Sequence, residues 1–303
     1  MMKVVELSGG VGGARMAVGL ARISEVDLTI VVNVGDDEEI HGLHVSPDID
    51  TVIYTLAEVQ GPQGWGRAGD SFAVNTELAR FGVDNRFLLG DLDLGLNLFR
   101  TNRLAAGEPL SAVTQQIAGA FDVAATVLPA SDDRLRTELM TADGEWIGFQ
   151  EYFVLRQHQD TVVNIRFAGG TEAKPAPDVI ESIKEADHVL IAPSNPPLSI
   201  WPILTLSEVR QALVSHPSVI AVSPLFGGKA LKGPADRVMA SLELPPGNVG
   251  VVQAYEGILS TVVIDSGDRD DVEKLQDVDV VVANSRIKVP EQAERLAREI
   301  LGL

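Results

Sequence analysis

Two features place this 303-residue chain in the α/β class, with a mainly parallel sheet and helices on both faces. Short apolar, β-branched runs alternate with amphipathic segments, and the first run passes through a glycine turn directly into a helical pattern. A chain of this length buries roughly three quarters of its unfolded surface, so it can build a core without disulfides or a structural metal.

Strand-like runs fall at residues 4–7, 28–34, 161–167, 188–192, 218–223 and 278–283. They are short and rich in Val, Ile and Leu, as strands covered on both faces are. Helical patterns fall at residues 14–23, 72–81, 110–121, 179–186, 206–214 and 290–301, with a further helix entered at Ser46-Pro47-Asp48 and running through Tyr54. Residues 134–158 break the alternation and read as two strands around an Asp143-Gly144 turn, followed by a short amphipathic piece. With the Leu/Ala-rich helical text that begins at Asp91, they predict an inserted, mostly helical subdomain over residues 91–158, leaving 1–90 and 159–303 as the core. The Pro/Gly-rich stretches are loop-length, and several follow predicted strands, where open α/β sheets bind ligands.

Composition narrows the function. With 24 Lys and Arg against 43 Asp and Glu, the net charge is −19, and the resulting field repels nucleic acid and anionic lipid. No cysteine is present, which removes thiolate metal sites, iron–sulfur clusters and a cysteine nucleophile. The amino terminus has a strand-sized apolar run where a signal peptide would have a longer one, and no run is long enough to cross a membrane, so a cytoplasmic protein is expected. No G-x-S-x-G elbow and no H-E-x-x-H pair occurs, so serine-nucleophile and zinc-hydrolase chemistry have no support.

Four stretches carry the chemistry. Ser8-Gly9-Gly10-Val11-Gly12-Gly13-Ala14-Arg15 follows the first strand and opens a helix. Glycines there let backbone amides approach an anion, and the helix amino end favours the same charge, so the stretch reads as a phosphate cradle. Second, Asn33-Val34-Gly35-Asp36-Asp37-Glu38-Glu39 ends the second strand and is followed by Ser46-Pro47-Asp48-Ile49-Asp50. Acids crowded in this way are relieved by a divalent cation such as Mg²⁺, which takes carboxylate oxygens together with water and substrate phosphates. Asp36 and Asp50 are the leading ligands, and Asp37, Asp48 and His41 are secondary ones. Asp48 also suits a helix cap. Third, Ala192-Pro-Ser-Asn-Pro-Pro-Leu-Ser199 is a stiff loop in which Ser194, Asn195 and Ser199 can read a base or sugar, or simply cap a turn. Fourth, Gly227-Gly228-Lys229 and Lys232 offer amides and cations to a phosphate or carboxylate.

These residues resemble the 2-phospho-L-lactate transferase family of coenzyme F-420 biosynthesis. The resemblance rests on SGGVGGAR at residues 8–15, VNVGDD at 32–37, GLHVSPDIDTVIYTL at 42–56, APSNPPLSIWPIL at 192–204 and PLFGGKALKGPADR at 224–237. It implies a Rossmann-like homodimer with an extra helical region over a deazaflavin pocket. The implied reaction moves a phospho-three-carbon acid from a guanosine diphosphate conjugate to the ribityl hydroxyl of the deazaflavin Fo and releases GMP, without a redox cofactor. The resemblance also implies that Asp36 and Asp50 hold the cation, that Gly9, Gly10, Val11, Gly12 and Gly13 with Arg15 face the diphosphate, and that Ser194, Asn195 and Pro196 with Ser199 face the guanosine. Gly228 and Lys229 would stand near the three-carbon acid or phosphate, and the acid could be lactyl, enolpyruvyl or glyceryl. Asp50 or His41 would be the general base, if one is used.

Two other readings compete. An NAD(P)-dependent oxidoreductase would use the same glycine turn with Asp36 on the ribose, but Arg15 stands where the third small residue of that fingerprint belongs. A non-catalytic nucleotide-sugar-binding regulator of the gluconeogenesis-factor type would share the glycine-rich start but lacks the SPDIDT and SNPPLSIWPIL blocks.

Overall fold

A computed structural model describes residues 1–231 and 233–303. In chain order it has β1 (Met2–Ser8), α1 (Gly10–Ala21), β2 (Val26–Val32), a hairpin of β3 (Glu38–Ile40) and β4 (Leu43–Val45), α2 (Pro47–Leu56), α3 (Ala73–Arg80), α4 (Asp91–Ala105), α5 (Leu110–Ala120) and β5 (Thr126–Pro129). Then come β6 (Arg136–Thr141), β7 (Trp146–Gly148), β8 (Val162–Ala168), α6 (Val179–Glu185), β9 (His188–Ile191), α7 (Trp201–Leu204), α8 (Ser207–Val214) and β10 (Val219–Val222). The chain closes with β11 (Leu225–Phe226), β12 (Lys229–Ala230), α9 (Ala235–Ser241), α10 (Asn248–Ala254), β13 (Thr261–Asp265), β14 (Asp279–Ala283) and α11 (Pro290–Leu301).

The main sheet has seven strands, in the order β14-β13-β10-β9-β1-β2-β5, with every neighbouring pair parallel. The chain builds outward from β1 to β5 and then returns to β9 on the other side of β1. This reversal opens a crevice beyond the carboxyl ends of β1 and β9, where ligands of such sheets bind. Val4, Val5, Leu7, Val31, Leu190 and Ala221 are buried, as expected of strands covered on both faces.

The helices earn their positions by face. In α11, Ala293, Leu296, Ala297 and Leu301 form one buried stripe, Pro290 starts the helix and Gly302 ends it in the left-handed region at φ 71°. This stripe packs on α1, which also packs on α2. The α1–α11 approach is close at Gly19, where an added Cβ would lie 2.4 Å from the carbonyl carbon of Ala293.

Three expectations change. The subdomain predicted over 91–158 is not one unit, because β5 joins the main sheet beside β2. With only four residues, a terminal proline and an edge position, β5 does not stand out from the helices around it. The antiparallel sheet β7-β6-β8 is separate and runs on to Ala168. Residues 161–167, predicted as a strand of the parallel sheet, are therefore β8 of this smaller sheet, pairing antiparallel with β6 and leaving much of its length in solvent. Finally, β13 belongs to the main sheet although its apolar run was not singled out. The Asp143-Gly144 turn is present, joining β6 and β7 with Gly144 at φ 81°. Among the described residues no helix is long and apolar enough to cross a membrane.

Two glycine substitutions test this packing. Gly19→Ala is expected to destabilise the fold by about 1–3 kcal/mol through overpacking. Gly95→Ala, in exposed α4 with open space around its Cα, is expected to stabilise it by about 0.5–1 kcal/mol. Chemical denaturation with an unchanged slope would read both.

Candidate active site

The predicted residues gather at the carboxyl ends of β1, β2 and β9. The glycine loop leaves β1 with Gly10 at φ 64°, a conformation that favours glycine, and enters α1. The first amides of a helix have no partner within it; those of Gly9 and Gly10 are taken by Ser194 and Asp48, and those of Val11 and Gly12 remain available to an anion. The Pro193–Ser199 loop packs directly on this turn. A Cβ at Gly12 would stand 2.3 Å from the Pro193 carbonyl oxygen, and one at Gly9 would stand 2.6 Å from Ser199 Cβ. Ser194 Oγ donates to the Gly9 carbonyl at 2.7 Å and accepts from the Gly9 amide at 3.3 Å. Asn195 caps its own turn, accepting from the Leu198 amide at 3.3 Å. Pro196, at the start of that turn, is buried. Ser194, predicted to read the nucleoside, is thus committed to holding the glycine loop.

The acids are buried. Asp48 does not cap α2 in the ordinary way. Its Oδ1 accepts from the Gly10 amide at 2.8 Å and its Oδ2 from Asn33 Nδ2 at 3.0 Å, tying the glycine loop to the end of β2. Burial pushes its carboxyl up to about 6, against those two hydrogen bonds. Burial, and next the charge of Asp48, hold Asp36 well above the usual carboxylate range. Asp37 Oδ2 accepts from Ser46 Oγ at 2.8 Å and meets His44 Nε2 at 2.9 Å. Oδ1 of Asp36 and Oδ1 of Asp37 are buried without any hydrogen-bond partner.

Asp50 stands apart from this group in its bonding. Both its oxygens accept from the guanidinium of Arg100, which is wholly buried in α4 and also donates to Asn97 Oδ1 at 2.6 Å. Burial raises the Asp50 carboxyl and Arg100 opposes the rise. Composition and spacing missed Arg100. Its one signal is the polar pair Asn97 and Arg100, three residues apart in an otherwise leucine-rich helix. The same approach missed Gln150, whose Nε2 donates to the Asp36 carbonyl at 2.7 Å, and Thr137, whose amide donates to the Gly35 carbonyl at 2.8 Å. Through these bonds the small sheet clamps the acidic loop.

Other expected residues lie elsewhere. His41 sits exposed at the tip of the β3–β4 hairpin with φ 54°, and His44 is the histidine that reaches the acids. Arg15 Nη1 donates to the Ile287 carbonyl at 3.3 Å, towards α11. The Gly227 and Gly228 amides are already filled by Asp268, at 3.1 and 2.8 Å. Lys229 is exposed beside them, and Lys232 lies outside the described residues.

A hard divalent cation fits this donor set. Two buried carboxylate oxygens lack partners, and Mg²⁺ commonly takes only one or two protein carboxylates, filling its shell with water and substrate phosphates. Among the described residues no group of three or more His, Asp or Glu side chains is placed to hold a metal ion.

Residues 4–299 match the family 2-phospho-L-lactate transferase CofD. The chain is 38% identical to the 2-phospho-L-lactate transferase of Methanopyrus kandleri over 306 residues, covering 100% of this chain and 97% of that protein. It is also 38% identical to the phosphoenolpyruvate transferase of Streptomyces griseus over 321 residues, covering 99% of each. A crystal structure of a UPF0052-family protein from Bacillus halodurans shares the fold, with a TM-score of 0.67 at 17% identity and 99% coverage of both chains. A glycine loop and buried acids at the reversal point of the sheet, matched along nearly the whole chain at this identity, have one reading: the chain belongs to the 2-phospho-L-lactate transferase CofD family, the transferases of coenzyme F-420 biosynthesis that its motifs resemble.

Proposed function

We propose that this protein transfers a phospho-three-carbon acid from a guanosine diphosphate conjugate to the terminal ribityl hydroxyl of Fo. The hydroxyl oxygen forms a bond to the phosphorus that carries the acid, the bond from that phosphorus to the bridging oxygen breaks, GMP leaves with the electron pair, and the hydroxyl proton is released to solvent. The observation that carries this reading is the junction of a phosphate-accepting turn with buried, partly unpartnered carboxylates, tied together by Asp48 between Gly10 and Asn33. Phosphoryl-type transfer asks the protein mainly for position and charge neutralisation.

The geometry supports these roles. The free amides of Val11 and Gly12 receive the diphosphate. Asp36 would hold a divalent cation, Mg²⁺, with Asp37 beside it, because each keeps a free buried oxygen. That cation, when bound, would supply positive charge to the diphosphate as the GMP oxygen departs. Asp50, which was expected as the second ligand, is held by Arg100 and fixes the start of α2. A homodimer is proposed with this function on the family resemblance alone, and a cytoplasmic setting as the expectation drawn from the sequence.

Purified protein with Mg²⁺, Fo and guanylylated lactyl, enolpyruvyl or glyceryl donors is expected to release GMP and extend Fo by one phospho-acid. Silence with all three donors would remove the proposal. Asp36→Asn is expected to lower GMP release at least about 100-fold while leaving the chain folded. Wild-type turnover in that variant would end the ligand assignment. Because Asp36 and Asp48 have raised pKa values in the folded state, their contribution to stability is full below the ordinary aspartate pKa and is lost as pH rises, for Asp48 through about 6. Mg²⁺ competes with those protons, so its upward shift of Tm is expected to be larger at pH 8 than at pH 5.

A further inference from the structure

Arg136 opens β6, directly before the residue whose amide donates to Gly35 of the acidic loop. Its side chain is only partly exposed, and burial works against its positive charge. The charges of Asp37 and Glu38, and to a lesser degree Asp36, favour that charge, and the charge of Arg134 opposes it. None of these acids pairs with it: among the described residues no carboxylate lies within 4.0 Å of the guanidinium. Its one hydrogen bond is from Nη1 to the neighbouring Leu135 carbonyl at 2.8 Å, and Nε is buried with no partner at all.

Nε of Arg67 and of Arg100 is also buried without a hydrogen-bond partner, but each of these guanidinium groups has another contact. Arg100 is bound by Asp50, Arg67 lies against the rings of Tyr54 and Phe121 at 5.7 and 5.1 Å, and Arg15 reaches Ile287. Arg136 is therefore a half-buried fork with open donors, one residue before Thr137, which bonds the loop carrying two carboxylates that also keep open oxygens. If its purpose were structural neutralisation, the simplest arrangement would be a direct ion pair, which would satisfy both sides at once. Leaving both sides unsatisfied suits a guest that is anionic towards the arginine and carries a cation towards the aspartates.

We infer that Arg136 is a substrate-binding residue whose guanidinium receives an oxyanion of the guanylylated donor, either its diphosphate or the carboxylate of its three-carbon acid. The inference deepens the transferase reading and rests on it. A planar guanidinium engages either group through paired hydrogen bonds, which an ammonium cannot reproduce.

Titration calorimetry with Mg²⁺ tests this on the wild type, Arg136→Gln and Arg136→Lys, using GDP and the guanylylated three-carbon donor, with Tm recorded for each. Arg136→Gln is expected to weaken donor binding by about 10- to 100-fold, and Arg136→Lys by less, with Tm little changed. An equal loss for GDP assigns the oxyanion to the diphosphate, and unchanged GDP binding assigns it to the carboxylate. Wild-type affinity for both ligands in a folded Arg136→Gln variant overturns the inference and leaves the transferase reading standing. If Arg136→Gln does not fold, full affinity in Arg136→Lys overturns it instead. A wild-type protein that binds neither ligand overturns the transferase reading and this inference together.

Discussion

Carboxylates that share a site and are withdrawn from water oppose their own ionisation, and the rest of the molecule is arranged around that cost. Asp36, Asp37, Asp48 and Asp50 are all buried at the carboxyl end of the sheet. The fold deals with them in three ways. Asp50 is neutralised by a buried arginine, Asp48 by hydrogen bonds from Gly10 and Asn33, and Asp37 in part by Ser46 and His44. Asp36 is left with the least help, which is the condition under which a multivalent cation binds most usefully.

The same bonds position the glycine loop. Asp48 pulls Gly10 towards β2, while Ser194 grips both backbone groups of Gly9 from the β9 side. The loop is thus held between β2 and β9, the two neighbours of β1 in the sheet, so little of it is left to be ordered. Rigidity here has a steric side too, since Gly12 lies too near Pro193 for a larger residue. The small antiparallel sheet completes the arrangement by fixing the acidic loop through Gln150 and Thr137 and by placing Arg136 at its edge.

Several elements were legible because their signal is local. Helix α11 was readable to its ends, since its apolar stripe repeats at helical spacing between a proline and a glycine. The β6–β7 turn was legible in Asp143-Gly144, and the glycine loop in its position between strand and helix. Others were hidden because their signal depends on partners. Strand β5 is short and becomes a strand only through β2, and β8 has the composition of a core strand but pairs with β6 outside the main sheet.

In the site the division is similar. Residue types and order sufficed to mark Asp36, Asp37, Asp48, Asp50 and the glycines, because charge crowding and backbone freedom can be seen along one dimension. Which acid is free and which is paired depended on Arg100, far from Asp50 in sequence and brought to it only by the packing of α4. His41 and His44 looked equivalent until the hairpin turned one to its tip and the other to Asp37. The amides of Gly227 and Gly228 looked open until Asp268 was found in them. Chain order thus determined the α/β architecture, the glycine turn between strand and helix and the set of candidate acids, since these follow from local periodicity and residue chemistry. Only the tertiary structure decided how those acids are paired, because hydrogen bonds and ion pairs are chosen by proximity in space.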